Sequence, residues 1–241
     1  MIAATRDLPA LAVEGLNAWY GAAHILFDVS LEIGRGEVVA LMGRNGAGKS
    51  TTMKAIMGLV PRRTGVVRFM AHDLVALRPY EIARLGIGWV PEDRRIFTDL
   101  TVMENLEVAR RPPRDGVHWT PEKLFALFPN LEELRHRAGG RISGGEQQML
   151  TVARTLMGNP LVVLLDEPSE GVAPLIVERM AATIQQLKQQ GLSILLSEQN
   201  LHFAALVSDR VYLLEKGHVG WAGTMAELSS SADVQRELLT L

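Results

Sequence analysis

The chain of 241 residues contains no cysteine. That excludes disulfides, thiolate zinc sites and a cysteine nucleophile, and it fits a reducing compartment. Charge of one sign is also lacking: 25 basic residues face 27 acidic ones, a net charge of −2. A protein that grips nucleic acid as a polyanion is normally far more basic, so no nucleic-acid partner is expected. No uncharged apolar run exceeds five residues, too short for a bilayer span. Met1 to Ala10 carries Arg6, Asp7 and Pro9 and lacks the apolar stretch of a secretory signal. The expectation is a cytosolic chain, or one held at a membrane by a partner. Internal repeats and low-complexity segments are absent too.

What is present is ordinary globular composition, 47% hydrophobic and 22% charged, in a length that suits one large domain. Val13 to Trp19, Ile25 to Ile33 and Glu37 to Met42 read as strands, with a turn at Gly34-Arg35-Gly36. Lys49 to Met57 reads as a helix closed by Gly58. Short strands are expected at Gly65 to Phe69 and Ile87 to Val90, with a helix around Pro79 to Arg84 between them. From Thr101 to Arg141 the pattern turns helical: Thr101 to Arg110, a loop over Arg110 to Gly116, then Glu122 to Phe128 ended by Pro129. Alternation then resumes, with helices at Gly144 to Met157 and Pro174 to Gln189. Buried strands follow at Leu161 to Leu165 and Leu192 to Leu196. A hairpin over Val211 to Leu214 and His218 to Trp221 precedes two short helices. Strand–helix alternation predicts a mainly parallel sheet, an α/β fold.

Val38 to Met42 runs into Gly43-Arg44-Asn45-Gly46-Ala47-Gly48-Lys49-Ser50, followed by Thr51. A strand, G-x-x-x-x-G-K-S and a helix make a phosphate-binding loop. The glycines let backbone N–H groups converge on phosphate oxygens, and the helix adds its positive end. Lys49 is placed for the β- and γ-phosphates and Ser50 for Mg²⁺. These residues, Gly43 to Thr51, are the expected ATP-binding segment. About 120 residues later, Asp166-Glu167 ends the buried strand. Asp166 suits Mg²⁺ through water, and Glu167 suits the attacking water as base or positioner. The plain alternative is an acidic strand end of no special role.

Arg141 to Gln148 contains Ser143-Gly144-Gly145-Glu146-Gln147, a second candidate anion-binding helix start, or simply a helix cap. The phosphate loop, Ser-Gly-Gly-Glu-Gln and then Asp-Glu-Pro-Ser, in this order, resemble the ATP-binding subunits of ABC transporters, over nearly the whole chain. The resemblance implies a P-loop NTPase of the ABC cassette type. It would have a RecA-like core, an N-terminal antiparallel β subdomain and a helical signature subdomain. One domain is expected over 10–241, with core about 10–90 and 160–241 and helical part about 91–159. It implies that two subunits face each other head to tail. Ser143, Gly144, Gly145, Glu146 and Gln147 then serve ATP on the partner, and Pro168 to Val172 crosses to it. Tyr20, more than Trp19, matches the adenine-stacking aromatic.

Two positions depart from the family. The usual glutamine after the Ile87 to Val90 strand is replaced by Glu92, still able to reach Mg²⁺. The usual histidine after the Leu192 to Leu196 strand is replaced by Gln199, which can donate to a γ-phosphate but carries no imidazolium charge. ATP binding and hydrolysis, with Glu167 and Gln199 catalytic, are expected, while turnover rate is left open.

Val90 to Phe97, Ser143 to Leu150, Glu167 to Pro174 and Ser197 to Asn200 look like the LivF-type subunits of bacterial branched-chain amino acid uptake. That group is similar to urea and amide importers as well. The implied partners are a second, different ATP-binding subunit, two membrane permease subunits and a separate solute-binding protein, at the cytoplasmic face of the inner membrane. A soluble ABC ATPase of cluster assembly, or a catalytically silent cassette, is the rival. The loop Glu92 to Phe97 is expected to help receive a coupling helix of a permease. Arg94→Ala with Arg95→Ala is then expected to uncouple transport, and normal uptake with normal membrane recovery would refute that. The six histidines show no metal-ligand spacing.

Overall fold

The computed structural model describes residues 8–114 and 118–238. Most of the N-terminal stretch read above for a secretory signal, and Asp115 and Gly116 of the expected loop, lie outside the described residues. β1 (Leu11–Tyr20) and β2 (Ala23–Ile33) form a hairpin, followed by β3 (Val38–Met42), α1 (Lys49–Ile56), β4 (Arg62–Phe69) and β5 (His72–Asp73). Then come α2 (Pro79–Leu85), β6 (Ile87–Val90), α3 (Val102–Ala109), α4 (Pro121–Leu127), α5 (Pro129–Glu133) and α6 (Gly144–Leu156). The chain continues with β7 (Val162–Asp166), α7 (Pro174–Gln189), β8 (Ser193–Glu198), α8 (Leu201–Val207), β9 (Arg210–Glu215), β10 (His218–Thr224), α9 (Met225–Ser230) and α10 (Ala232–Leu238).

Two sheets result. One is antiparallel, in the order β2-β1-β4-β5. The other runs β10-β9-β3-β8-β7-β6, parallel from β9 to β6, with β10 turned back along β9. The central parallel strands β3, β7 and β8 each carry an apolar run because both faces are covered, and the two-residue period sorts their side chains. Val39, Leu41, Val162, Leu164 and Leu195 pack toward the antiparallel sheet and α1. Val38, Val163, Leu165, Ile194 and Leu196 pack toward α6 and α7.

One expected boundary is incomplete. Pro129 does end α4, but it also opens α5. Phe128 between the helices leaves the helical region (φ −128°, ψ 72°), which the following proline disfavours for it, and proline is well suited to a first helical position. Among the described residues no helix is long and apolar enough to cross a membrane.

Candidate functional site

Five buried residues of β3 deliver the chain to Gly43 at the carboxyl end of the parallel sheet. Gly43 has φ 149°, and a Cβ there would lie 2.2 Å from the Leu214 carbonyl oxygen. Gly48 has φ 113°, and its Cβ would meet Leu26 Cδ2 at 2.7 Å. Only glycine fits either position. The Gly217 N–H donates to the Ala47 carbonyl at 2.8 Å, tying the loop to the β9–β10 turn. α1 then opens with no side-chain cap on its first amides.

Lys49 is buried. Its Nζ donates to the carbonyls of Gly43 (2.9 Å) and Arg44 (3.3 Å) and pairs with Glu167 Oε1 at 3.1 Å. Across from it, β7 ends in Asp166, 2% exposed. Asp166 Oδ1 accepts from Ser50 Oγ at 3.0 Å and from Ser197 Oγ at 2.7 Å. Burial pushes the Asp166 carboxyl up, against the pull of these two hydroxyls. Glu167 has left-handed backbone (φ 46°), unusual outside glycine and held by its N–H donating to Ser197 O at 3.0 Å. Its Oε2 accepts from Gln199 Nε2 at 2.9 Å, and the same Gln199 nitrogen reaches Asn45 Oδ1 at 2.7 Å. Burial opposes ionisation of Glu167. Hydrogen bonds from Glu170 and Gln199 and the Lys49 charge outweigh it and hold the carboxyl below its ordinary value.

Glu170 is the counterpart. Its hydrogen bond with Glu167, burial, and the charges of Glu167, Glu92 and Glu198 raise its carboxyl from 4.5 to about 7. The folded chain keeps a proton there that the unfolded chain releases at lower pH. Stability from this group is therefore complete below 4.5 and is lost as pH rises toward about 7. Glu170→Gln is expected to flatten the fall of the thermal midpoint over that interval. An unchanged slope in the variant would assign the fall elsewhere.

Asn45, Lys49, Ser50, Glu167 and Glu170 line a cavity of about 540 Å³, with Ile25 and Glu92 also on its wall. A larger cavity, about 730 Å³, lies at the amino ends of β7 and β8, beside α4 and α7. Among the described residues that line it, the one ammonium, Lys123 Nζ, already donates to the His118 carbonyl at 2.8 Å, and none is a carboxylate. The phosphate-loop cavity combines loop amides, a lysine and carboxylates.

The expected residues do not all meet. Gly43 to Thr51, Glu92, Asp166, Glu167 and Gln199 converge. Tyr20 stands apart on the hairpin, 41% exposed, and does not line the cavity. Trp19 is occupied, stacked on His24 (centroids 4.3 Å apart, planes at 13°) with the Arg62 guanidinium 4.4 Å over its ring. Tyr20 is therefore the ring left open. Ser143 to Gln147 lie outside the cavity. Ser143 caps α6, accepting from Glu146 N–H at 3.3 Å, while Glu146 Oε2 accepts from Ser143 N–H at 2.7 Å. Gln147 Nε2 donates to the Gly139 and Ile142 carbonyls. Gly144 abuts Arg94 and Gly145 abuts Ile176.

Ser197, Glu170 and Glu198 were not singled out as site residues from sequence. Ser197 stands opposite Asp166 in the β7–β8 register, a relation visible only once the strands are paired.

Comparison with known proteins agrees with this geometry. The sequence profile described as ABC transporter matches residues 26–170, more than half of the chain. The high-affinity branched-chain amino acid transport ATP-binding protein BraG of Pseudomonas aeruginosa is 40% identical, over 93% of this chain and 97% of that protein. The probable branched-chain amino acid transport ATP-binding protein LivF of Archaeoglobus fulgidus is 38% identical, over 88% and 91%. The lipopolysaccharide export system ATP-binding protein LptB of Escherichia coli K12 is 34% identical, over 95% and 96%. An ATP-binding cassette of an ABC transporter solved in its ADP conformation superposes with a TM-score of 0.77 at 26% identity, covering 92% and 94%. The chain belongs to the ABC transporter family, as one of its ATP-binding subunits, an ATPase that works with membrane permease subunits.

Proposed function

We propose that this subunit energises uptake of branched-chain amino acids through an ABC importer. The observation that carries the energising role is the Lys49–Glu167–Gln199–Asn45 chain of contacts across the mouth of the phosphate loop. The solute class is supported by the two relatives named for branched-chain amino acid transport. The LptB match at slightly lower identity supports export as the second reading.

In this reading ATP phosphates occupy the loop amides and take Lys49 as their countercharge. That frees Glu167 Oε1 to hold the attacking water. The water oxygen bonds to the γ-phosphorus, the bond to the β,γ-bridging oxygen breaks, and the water's proton passes toward Glu167 or a phosphate oxygen. Gln199 donates to the γ-phosphate, and Tyr20 stacks on adenine. Ser50, Asp166 and Glu92 fit Mg²⁺, since all offer oxygen and buried Asp166 is met by neutral hydroxyls rather than a protein cation. Bound there, Mg²⁺ would offset phosphate charge. The partner subunit's signature segment completes the site, and Ser143 to Gln147 complete the partner's.

The permease face is read at the loop after β6. Thr151 Oγ1 donates to Arg94 O at 3.0 Å and Arg154 Nη2 to Arg95 O at 2.6 Å, so this loop is clamped to α6. Beside it, Tyr80, Arg84, Trp89, Arg111 and Arg154 line a groove of about 470 Å³. Among the described residues Trp89 Nε1 and Arg154 Nη1 are buried there without hydrogen-bond partners, which favours an incoming segment that supplies acceptors.

The test is co-purification of tagged Glu167→Gln protein from native membranes with Mg-ATP. Two very hydrophobic proteins and a second ATP-binding subunit are expected. Soluble partners alone would refute the transporter assignment. Added leucine, isoleucine or valine, delivered by a separate solute-binding protein, is expected to raise turnover, and lack of response would refute the solute class.

A further inference from the structure

Glu198 is the last residue of β8 and 2% exposed, yet the reaction as derived gives it no part. Its carboxylate faces two segments at once. Oε1 accepts the Ser169 N–H at 3.1 Å, and the Ser169 hydroxyl bonds the same carboxylate. Oε2 accepts the N–H groups of Gln199 at 3.2 Å and Asn200 at 3.3 Å. Among the described residues no cation pairs with it, and a buried carboxylate so placed is costly unless its lone pairs are matched, so mere filling of space would be better done by an apolar residue. Burial pushes its carboxyl up, and the four donors pull the other way. Both of its partners matter. Ser169 lies two residues past Glu167 in the segment assigned to cross to the partner subunit. Gln199 holds Glu167 and Asn45.

We infer that Glu198 is a positioning residue that fastens the crossing loop to the Gln199 turn, so that docking of the partner subunit and placement of Gln199 occur together. This rests on the roles proposed above for Gln199 and for the Pro168 to Val172 segment. Glutamine at 198 has the same volume, but its NH₂ must face either the Ser169 N–H or the Gln199 and Asn200 N–H groups. One link is then broken whichever way it turns.

The experiment measures ATP turnover by the purified complex of this chain with its second ATP-binding subunit and permeases. Four forms are compared: wild type, Glu198→Gln, Gln199→Ala and the double variant. Glu198→Gln is expected to lower kcat about tenfold or more with KM for ATP within about twofold, a split that general loosening of the site would not give. In the Gln199→Ala background it is expected to cost less than about twofold further, because its effect passes through Gln199. Ser169→Ala removes only the hydroxyl donor, disturbs the core less, and is expected to show the same pattern at about threefold. It serves if Glu198→Gln does not fold. Normal turnover with Glu198→Gln, or effects that multiply in the double variant, would overturn the tether while a slow Gln199→Ala keeps the parent reading. Normal turnover with Gln199→Ala would overturn both.

Discussion

Glu167→Gln is expected to bind Mg-ATP at near wild-type affinity and to hydrolyse it about 10²–10⁴-fold more slowly, the range for loss of a general base. The side chain keeps its volume, and its carbonyl oxygen still meets either Lys49 or Gln199. What is lost is the carboxylate proposed to take the water's proton. In the proposed function bound ATP closes the paired subunits and hydrolysis reopens them, so the variant is expected to accumulate closed. Turnover measured alongside ATP-dependent association on a sizing column checks both halves. Robust hydrolysis would remove Glu167 from the reaction. Slow hydrolysis without association would show that the partner interface is misassigned.

Lys49→Ala is expected to weaken ATP binding by about 100-fold, the scale for losing a buried charge-assisted contact to phosphate. A second effect follows from the pair at 3.1 Å. With the ammonium gone, Glu167 keeps only Gln199 and Glu170 as partners in a largely buried position. Removing one member of a buried ion pair costs about 3 kcal/mol, less where the orphan takes up a proton. The thermal midpoint of the nucleotide-free variant is therefore expected to fall. Lys49→Ala combined with Glu167→Gln is expected to recover much of the midpoint and none of the ATP affinity. Nucleotide titration and thermal melts on the two variants separate stability from binding. Equal melts for wild type and Lys49→Ala would show that the pair contributes nothing.

The parallel sheet was legible because Val38–Met42, Leu161–Leu165 and Leu192–Leu196 are short, apolar but for Ser193, and followed by polar turns. The phosphate loop was legible because its chemistry is local, eight consecutive residues whose spacing is itself the structure. The rest depends on pairings between distant segments. Asp166 meets Ser197, and Ser169 meets Glu198, only because β7 and β8 lie in a particular register. Glu167 meets Lys49 from a left-handed backbone that residue type would not predict. The surroundings of Trp19 and Tyr20 are information of the same kind. Trp19 pairs with His24 across the hairpin and spends its face there, and Tyr20, one residue on, does not. Pro129 was read as a stop because a proline ends one helix and begins another with the same geometry.

The cap at the start of α6 restricts which substitutions this chain tolerates. Ser143 must accept a hydrogen bond from Glu146 N–H to start the helix. The role proposed for it toward a phosphate on the partner asks the same atom to donate one. A hydroxyl does both at once, since its lone pairs and its proton point in different directions. Aspartate would cap well and repel the phosphate; alanine would fail at both tasks. Among good capping residues, threonine is the natural exchange. Drift at this position is thus confined to a hydroxyl by two demands, one from the fold of its own subunit and one from the chemistry of its neighbour.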